Sequence, residues 1–159
     1  MPLIKSEFPI FEAARKEGRP LIFLDNASTT QKPKCIIDAI SGFYAGYYAN
    51  VGRGSYWPAT AASSGYDQAR EKVRAFIGAS SKKEVIFTSG TTDAVNKVVN
   101  SFLLPQLEQG DEVLVSEMEH HSNFVPWQQA CLLKGAQLKV IPLDAELNLD
   151  LSKLASMLT

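Results

Sequence analysis

Glu84-Val-Ile-Phe-Thr-Ser-Gly-Thr-Thr92 is an apolar, β-branched run that breaks at a glycine set between hydroxyl residues. Asp93-Ala-Val-Asn-Lys-Val-Val-Asn-Ser-Phe102 follows, with its apolar positions at helical spacing. The pattern predicts a strand over residues 85–88, a turn at Ser89 and Gly90, and a helix over residues 91–104. A helix entered in this way offers the free N–H groups of its first turn beyond the strand end, and its dipole favours negative charge there. The hydroxyls of Thr91 and Thr92 add donors, so a phosphate group is the natural guest. The plainer alternative is an ordinary cap, in which Ser or Thr satisfies the helix's own donors and binds nothing. The stretch lacks the Gly-Lys-Ser/Thr of a Walker loop and the three spaced glycines of a dinucleotide fingerprint.

Elements of the same kind lie on both sides. Upstream, residues 1–20 read as an arm with a short helix over residues 6–17, interrupted by Pro9. Residues 21–24 form an apolar strand candidate, and residues 25–32 a polar loop. Pro33 suits the first position of a helix over residues 33–47. A Gly-rich loop precedes a long helix over residues 59–77, which Gly78 ends. Downstream, residues 112–116 and 137–143 read as strands, residues 124–134 as a helix and residues 150–158 as the start of another. The β-α-β-α-β order over residues 85–143 predicts an α/β fold with a parallel sheet and flanking helices. Three such strands leave the sheet unfinished, and Leu154-Ala-Ser-Met-Leu-Thr159 lies within an apolar helical pattern. A part of a longer protein is therefore expected, with residues 21–159 as the incomplete domain.

Composition narrows the function. The 159 residues are 45% hydrophobic and 21% charged, ordinary values for a globular protein. A formal net charge of -1 gives no electrostatic case for nucleic acid or an anionic membrane. No apolar run is long enough to span a bilayer, and the N-terminus lacks the pattern of a secretory signal, so a cytoplasmic protein is expected. Cys35 and Cys131 both fall in helical surroundings, where buried structural thiols are expected.

In open α/β sheets, ligands sit beyond the carboxyl ends of the strands. A second such end is Glu117-Met-Glu-His-His-Ser-Asn123, which holds both histidines of the chain, His120 and His121. An imidazole there can stack on an aromatic ligand ring or hydrogen-bond to it. It can equally cap the next helix or face water. No Cys cluster or second His spacing supports a metal site.

Four segments in one order carry a resemblance. They are Leu24-Asp-Asn-Ala-Ser-Thr-Thr-Gln-Lys-Pro33, Asn50-Val-Gly-Arg-Gly54, Phe87-Thr-Ser-Gly-Thr-Thr-Asp-Ala-Val-Asn96 and Glu117-Met-Glu-His-His-Ser-Asn-Phe-Val-Pro-Trp127. The set resembles the N-terminal part of the group II (SufS/CsdA-like) cysteine desulfurases, which belong to the class V aminotransferases. The resemblance runs from about Phe8 onward and implies a pyridoxal-phosphate-dependent transferase of fold type I, of which this chain is part of the large domain plus an N-terminal arm. By motif match, Gly90, Thr91 and Thr92 would bind the phosphate of pyridoxal 5'-phosphate, and His121 would stack on its ring. Asn26 and Ala27 would line the substrate pocket, and Arg53 would approach the mouth of the site near a homodimer interface. One departure stands out: family members often carry His-Arg-Gly where this chain has Gly52-Arg53-Gly54.

The resemblance also implies what lies elsewhere. The family's lysine, which carries the cofactor covalently, its aspartate at the pyridine nitrogen and its nucleophilic cysteine all fall downstream of residue 159 in the family pattern, so no catalytic residue is assigned here. The complete protein would take sulfur from L-cysteine, release L-alanine, and pass an enzyme persulfide to an acceptor protein for iron–sulfur cluster assembly. A selenocysteine lyase or epimerase of the same superfamily is the alternative reading, and a truncated, non-catalytic product is a third.

Overall fold

In the computed structural model, residues 4–158 are described. The chain divides into two units, Met1–Val85 and Ile86–Thr159.

The first unit is helical. Helix α1 (Pro9–Lys16) starts at the proline expected to interrupt it. Proline is tolerated in a first turn, where its missing N–H has no partner to lose. Helix α2 covers Lys34–Gly46, with Pro33 outside it as an extended N-cap. Helix α3 (Trp57–Ile77) begins two residues earlier than the apolar pattern suggests, with Pro58 in its first turn. It closes at Gly78 in the left-handed conformation. The Gly-rich loop before α3 is pinned to it: Ser63 Oγ accepts from the Gly52 N–H at 3.0 Å and lies 3.3 Å from the Gly52 carbonyl. A Cβ on Gly54 would stand 2.8 Å from the Ala59 Cβ, so this close approach requires glycine.

The second unit carries the sheet. Helix α4 (Thr91–Val98) runs on into a π-helical turn, Val99–Leu103. The expected length of that helix is kept, but its last turn is wider. Strand β1 (Glu112–Ser116), helix α5 (Val125–Lys134) and strand β2 (Gln137–Ile141) form a β-α-β unit with the strands parallel. Register pairs Val113 with Leu138 and Val115 with Val140, which puts these four on one face. Val113 packs against Val99, Leu107 and Ala130, the core that α4 and α5 close over. On the opposite face, Lys139 pairs with Glu112, and its Nζ donates to the Met157 carbonyl at 2.8 Å, tying down helix α6 (Leu154–Met157). Gly135, left-handed at φ 69°, ends α5 where glycine was expected.

Four expectations need correction. Residues 21–24 and 85–88 are not strands: among the described residues no ladder pairs with them, and a strand exists only as part of a ladder. Several of their apolar side chains stand open, Ile22 at 82% exposed, Leu24 at 89% and Ile86 at 73%, whereas Val85 is buried. The sheet accordingly has two strands among the described residues. The last helix is Leu154–Met157, since Asp150 turns the chain before it by accepting from the Ser152 N–H at 3.2 Å. The two cysteines also differ. Cys131 is buried as expected, and burial pushes its thiol pKa up, whereas Cys35 is exposed on α2. An aromatic disulfide reagent at mildly alkaline pH is expected to modify one thiol per chain quickly and the second only in denaturant. Two equally fast thiols would contradict the placement of Cys131.

No helix among the described residues is long and apolar enough to cross a membrane.

Candidate functional site

The turn into α4 is built without a side-chain cap. The N-cap is Gly90, with φ 149° and ψ 179°, and it has no side chain to cap with. That conformation is essentially restricted to glycine, and space around it is open. The Gly90 carbonyl accepts from the Ala94 N–H at 3.0 Å and from the Thr88 hydroxyl at 3.2 Å. Among the described residues, the N–H groups of Thr91, Thr92 and Asp93 meet no acceptor. Thr91 and Thr92 are exposed. The helix start is thus left uncapped, a polar array at the positive end of a dipole.

Ser89 does not cap the helix because Asp93 holds it. The Asp93 Oδ2 accepts from the Ser89 N–H at 3.1 Å and from its hydroxyl at 3.2 Å. Lys97 pairs with the other carboxylate oxygen. These partners, the Lys97 ammonium first and the Ser89 N–H next, hold the Asp93 carboxyl below the usual carboxylate range. A carboxyl with a lowered folded pKa contributes fully above its unfolded value, about 4, and that contribution is lost as pH falls through the lower folded value. Protection of the Ser89 amide from hydrogen exchange is therefore expected to fall below about pH 4, and Asp93→Asn should flatten that dependence. Unchanged protection across this range in the parent protein would show that Asp93 does not hold the turn.

The second element follows β1. Glu117 ties the two strand ends together: its N–H donates to the Ile141 carbonyl at 3.0 Å, and its carboxylate accepts from the Leu143 N–H at 3.1 Å. His121, Ser122 and Asn123 form one 3-10 turn. The two histidines are held differently. His120 caps this turn, with its Nδ1 accepting from the Ser122 N–H at 3.2 Å. A neutral His120 therefore carries its proton on Nε2. The His121 ring is exposed and lies nearly perpendicular to the His120 ring, at 85°.

Thr92 and His121 line one cavity of about 560 Å³, together with His120, Asn96, Asn100 and Ser122. Its volume falls within the range of about 300–1,000 Å³ common for small-molecule sites. Gly90 and Thr91 lie at the helix start beside it but do not line it. Asn26 and Ala27 sit in a turn, and Arg53 in an exposed bend, all within the first unit. Asn26 lines an apolar cavity of about 580 Å³ with Phe8, Phe11 and Leu24.

Residues to which sequence reasoning gave no role form a hydrogen-bond network on either side of the His121 turn. Ser116 Oγ donates to Glu119 Oε1 at 2.8 Å, Asn123 Nδ2 donates to Glu119 Oε2 at 2.7 Å, and Trp127 Nε1 donates to Asn123 Oδ1 at 3.0 Å. The spacing 119, 123, 127 is the signal that could have drawn attention to them, although of the three only Trp127 lies in an α-helix.

The sequence profile named Aminotransferase class-V matches residues 22–159, and the chain belongs to that family. Membership implies dependence on pyridoxal phosphate. A relative from Halalkalibacterium halodurans described as a probable cysteine desulfurase is 46% identical over 143 residues, covering 90% of this chain and 35% of that protein. Among solved structures, the cysteine desulfurase CsdA from Escherichia coli superposes with a TM-score of 0.81 at 34% identity, over 98% of this chain and 37% of its own. The apo cysteine desulfurase from Thermococcus onnurineus NA1 gives 0.85 at 32% identity, over 97% and 36%. The chain thus spans about a third of the length of these relatives. The parallel strands and flanking helices are part of an α/β domain of fold type I.

Proposed function

We propose that this chain is the phosphate- and ring-binding portion of a cysteine desulfurase that uses pyridoxal 5'-phosphate. The observation that carries the reading is the uncapped start of α4 beside a cavity that also holds His121. Gly90, Thr91 and Thr92 hold the coenzyme's phosphate, through backbone N–H groups and threonine hydroxyls. The His121 ring lies against the pyridine ring, and His120, already engaged by Ser122, keeps the turn in place. When bound, the coenzyme supplies the electron sink for chemistry at the α-carbon of an amino acid. The chain's own residues orient that group and leave one face of it to the substrate. Asn26, Ala27 and Arg53 serve the substrate pocket. Residues 1–20 act as an arm, and residues 21–159 are the N-terminal part of the coenzyme domain.

The whole protein takes sulfur from L-cysteine, gives L-alanine and an enzyme persulfide, and passes the sulfur to an acceptor protein for iron–sulfur cluster assembly. It works as a cytoplasmic homodimer. The test is stoichiometric: full-length protein loaded with coenzyme and given L-cysteine should release alanine in equal amount to the sulfur transferred. Alanine from selenocysteine alone, or racemised cysteine without alanine, would replace this reading with a lyase or epimerase.

A further inference from the structure

We propose that Glu119 is a positioning residue for His121, acting through Asn123 to fix the plane in which the His121 ring meets the coenzyme. The inference rests on the ring-stacking reading above. Among the described residues no hydrogen bond joins the His121 side chain to the network; the turn that carries it is held at both ends. Glu119 stands two residues before it and Asn123 two residues after it, and the two side chains are joined at 2.7 Å. The Asn123 N–H also donates to the His120 carbonyl at 2.7 Å. The loop carrying His121 is therefore closed by a side-chain bond and a backbone bond.

The direction of every bond in the network is forced. The indole of Trp127 can only donate, so the Asn123 atom facing it is the carbonyl oxygen. The Asn123 amide nitrogen then faces Glu119, which must accept. The other Glu119 oxygen accepts from Ser116, the last residue of β1. These two donors, the Ser116 hydroxyl first, hold the Glu119 carboxyl below its ordinary range, so it is ionised at neutral pH. Trp127 packs against the core of Val99, Leu107 and Ala130. The His121 turn is thus referenced to the sheet at one end and to the hydrophobic core at the other.

Chemistry separates the useful variants. Glu119→Gln keeps length and one acceptor: its oxygen can meet Asn123 while its amide donates to the Ser116 hydroxyl, which accepts as readily as it donates. Glu119→Asp keeps the charge but is one methylene too short to span both donors. Glu119→Ala removes the link.

The experiment uses apo full-length protein titrated with pyridoxal 5'-phosphate, with affinity and the visible circular dichroism of the bound coenzyme as readouts. Glu119→Ala and Glu119→Asp should each weaken binding about tenfold and change the dichroic band, while Glu119→Gln should stay within about twofold of the parent. In a His121→Ala background, Glu119→Ala should add less than about a twofold further loss, because the residue it positions is already gone. Losses that multiply, or a Glu119→Asp protein with native affinity and dichroism, would overturn the positioning role while leaving ring stacking intact. A His121→Ala protein with unchanged affinity and dichroism would overturn both. If Glu119→Ala does not fold, the aspartate and glutamine variants decide the matter, since both keep a polar group at the same place.

Discussion

A carboxylate at position 91 is expected to leave helix α4 intact and to remove coenzyme binding from the full-length protein. Thr91 is the first residue of the helix, exposed, and preceded by a cap with no side chain. An aspartate there faces the positive end of the helix dipole, a change that helps a helix by about 0.3–1 kcal/mol. The same charge would stand beside the coenzyme's phosphate. Two unit charges at about 4 Å with intermediate screening oppose each other by about 4 kcal/mol. The repulsion therefore outweighs the local gain. Thr91→Asp should lower affinity for pyridoxal 5'-phosphate at least about a hundredfold, or about 2.7 kcal/mol, without a loss of melting temperature. This dissociation of stability from binding separates an anion site from a structural cap. If the opening of α4 only served the fold, the aspartate would be neutral or stabilising and binding would not change.

The chain on its own is expected to self-associate. It exposes 12196 Å² of surface. A compact monomer of its mass exposes about 7,900 Å², and two independent compact bodies of half that mass about 9,500 Å² together. The excess includes apolar side chains that a finished domain covers: Leu24 is 89% exposed, Phe76 91% and Leu133 73%. Both strands of the parallel pair also lack a second neighbour among the described residues, so each offers an open edge. Large contiguous apolar surface drives association. Sedimentation of the 159-residue chain at micromolar concentration should show oligomers or a loss of soluble protein. A single monomeric boundary with a sharp cooperative melt would contradict the open surface described here.

Local signals were read well where they act through backbone chemistry alone. Gly78 and Gly135 stop their helices in the left-handed conformation because only the absence of a Cβ makes that turn cheap. Strands β1 and β2 could be read because each has the other as a partner within the chain. Residues 21–24 and 85–88 carry the same kind of apolar pattern and form no ladder among the described residues, since pairing is a property of two segments and not of one. Burial is equally non-local. Cys35 and Cys131 look alike in sequence, yet the helix of Cys131 packs on the core of its own unit while Cys35 is exposed. At the site, the turn at Gly90 was legible from its residues, but the role of Ser89 was not. It depends on Asp93 reaching back to take both Ser89 donors. The capping of the turn by His120 was also hidden, because it is set by contacts between its Nδ1 and Ser122.

The central claim is that the opening of α4 and the His121 ring together hold the coenzyme. Its most direct test is the dissociation constant of pyridoxal 5'-phosphate from full-length protein in which Thr91 and His121 are both replaced by alanine. The account predicts a rise of at least about tenfold, or about 1.4 kcal/mol, with the fold retained. A constant equal to that of the unaltered protein would contradict it.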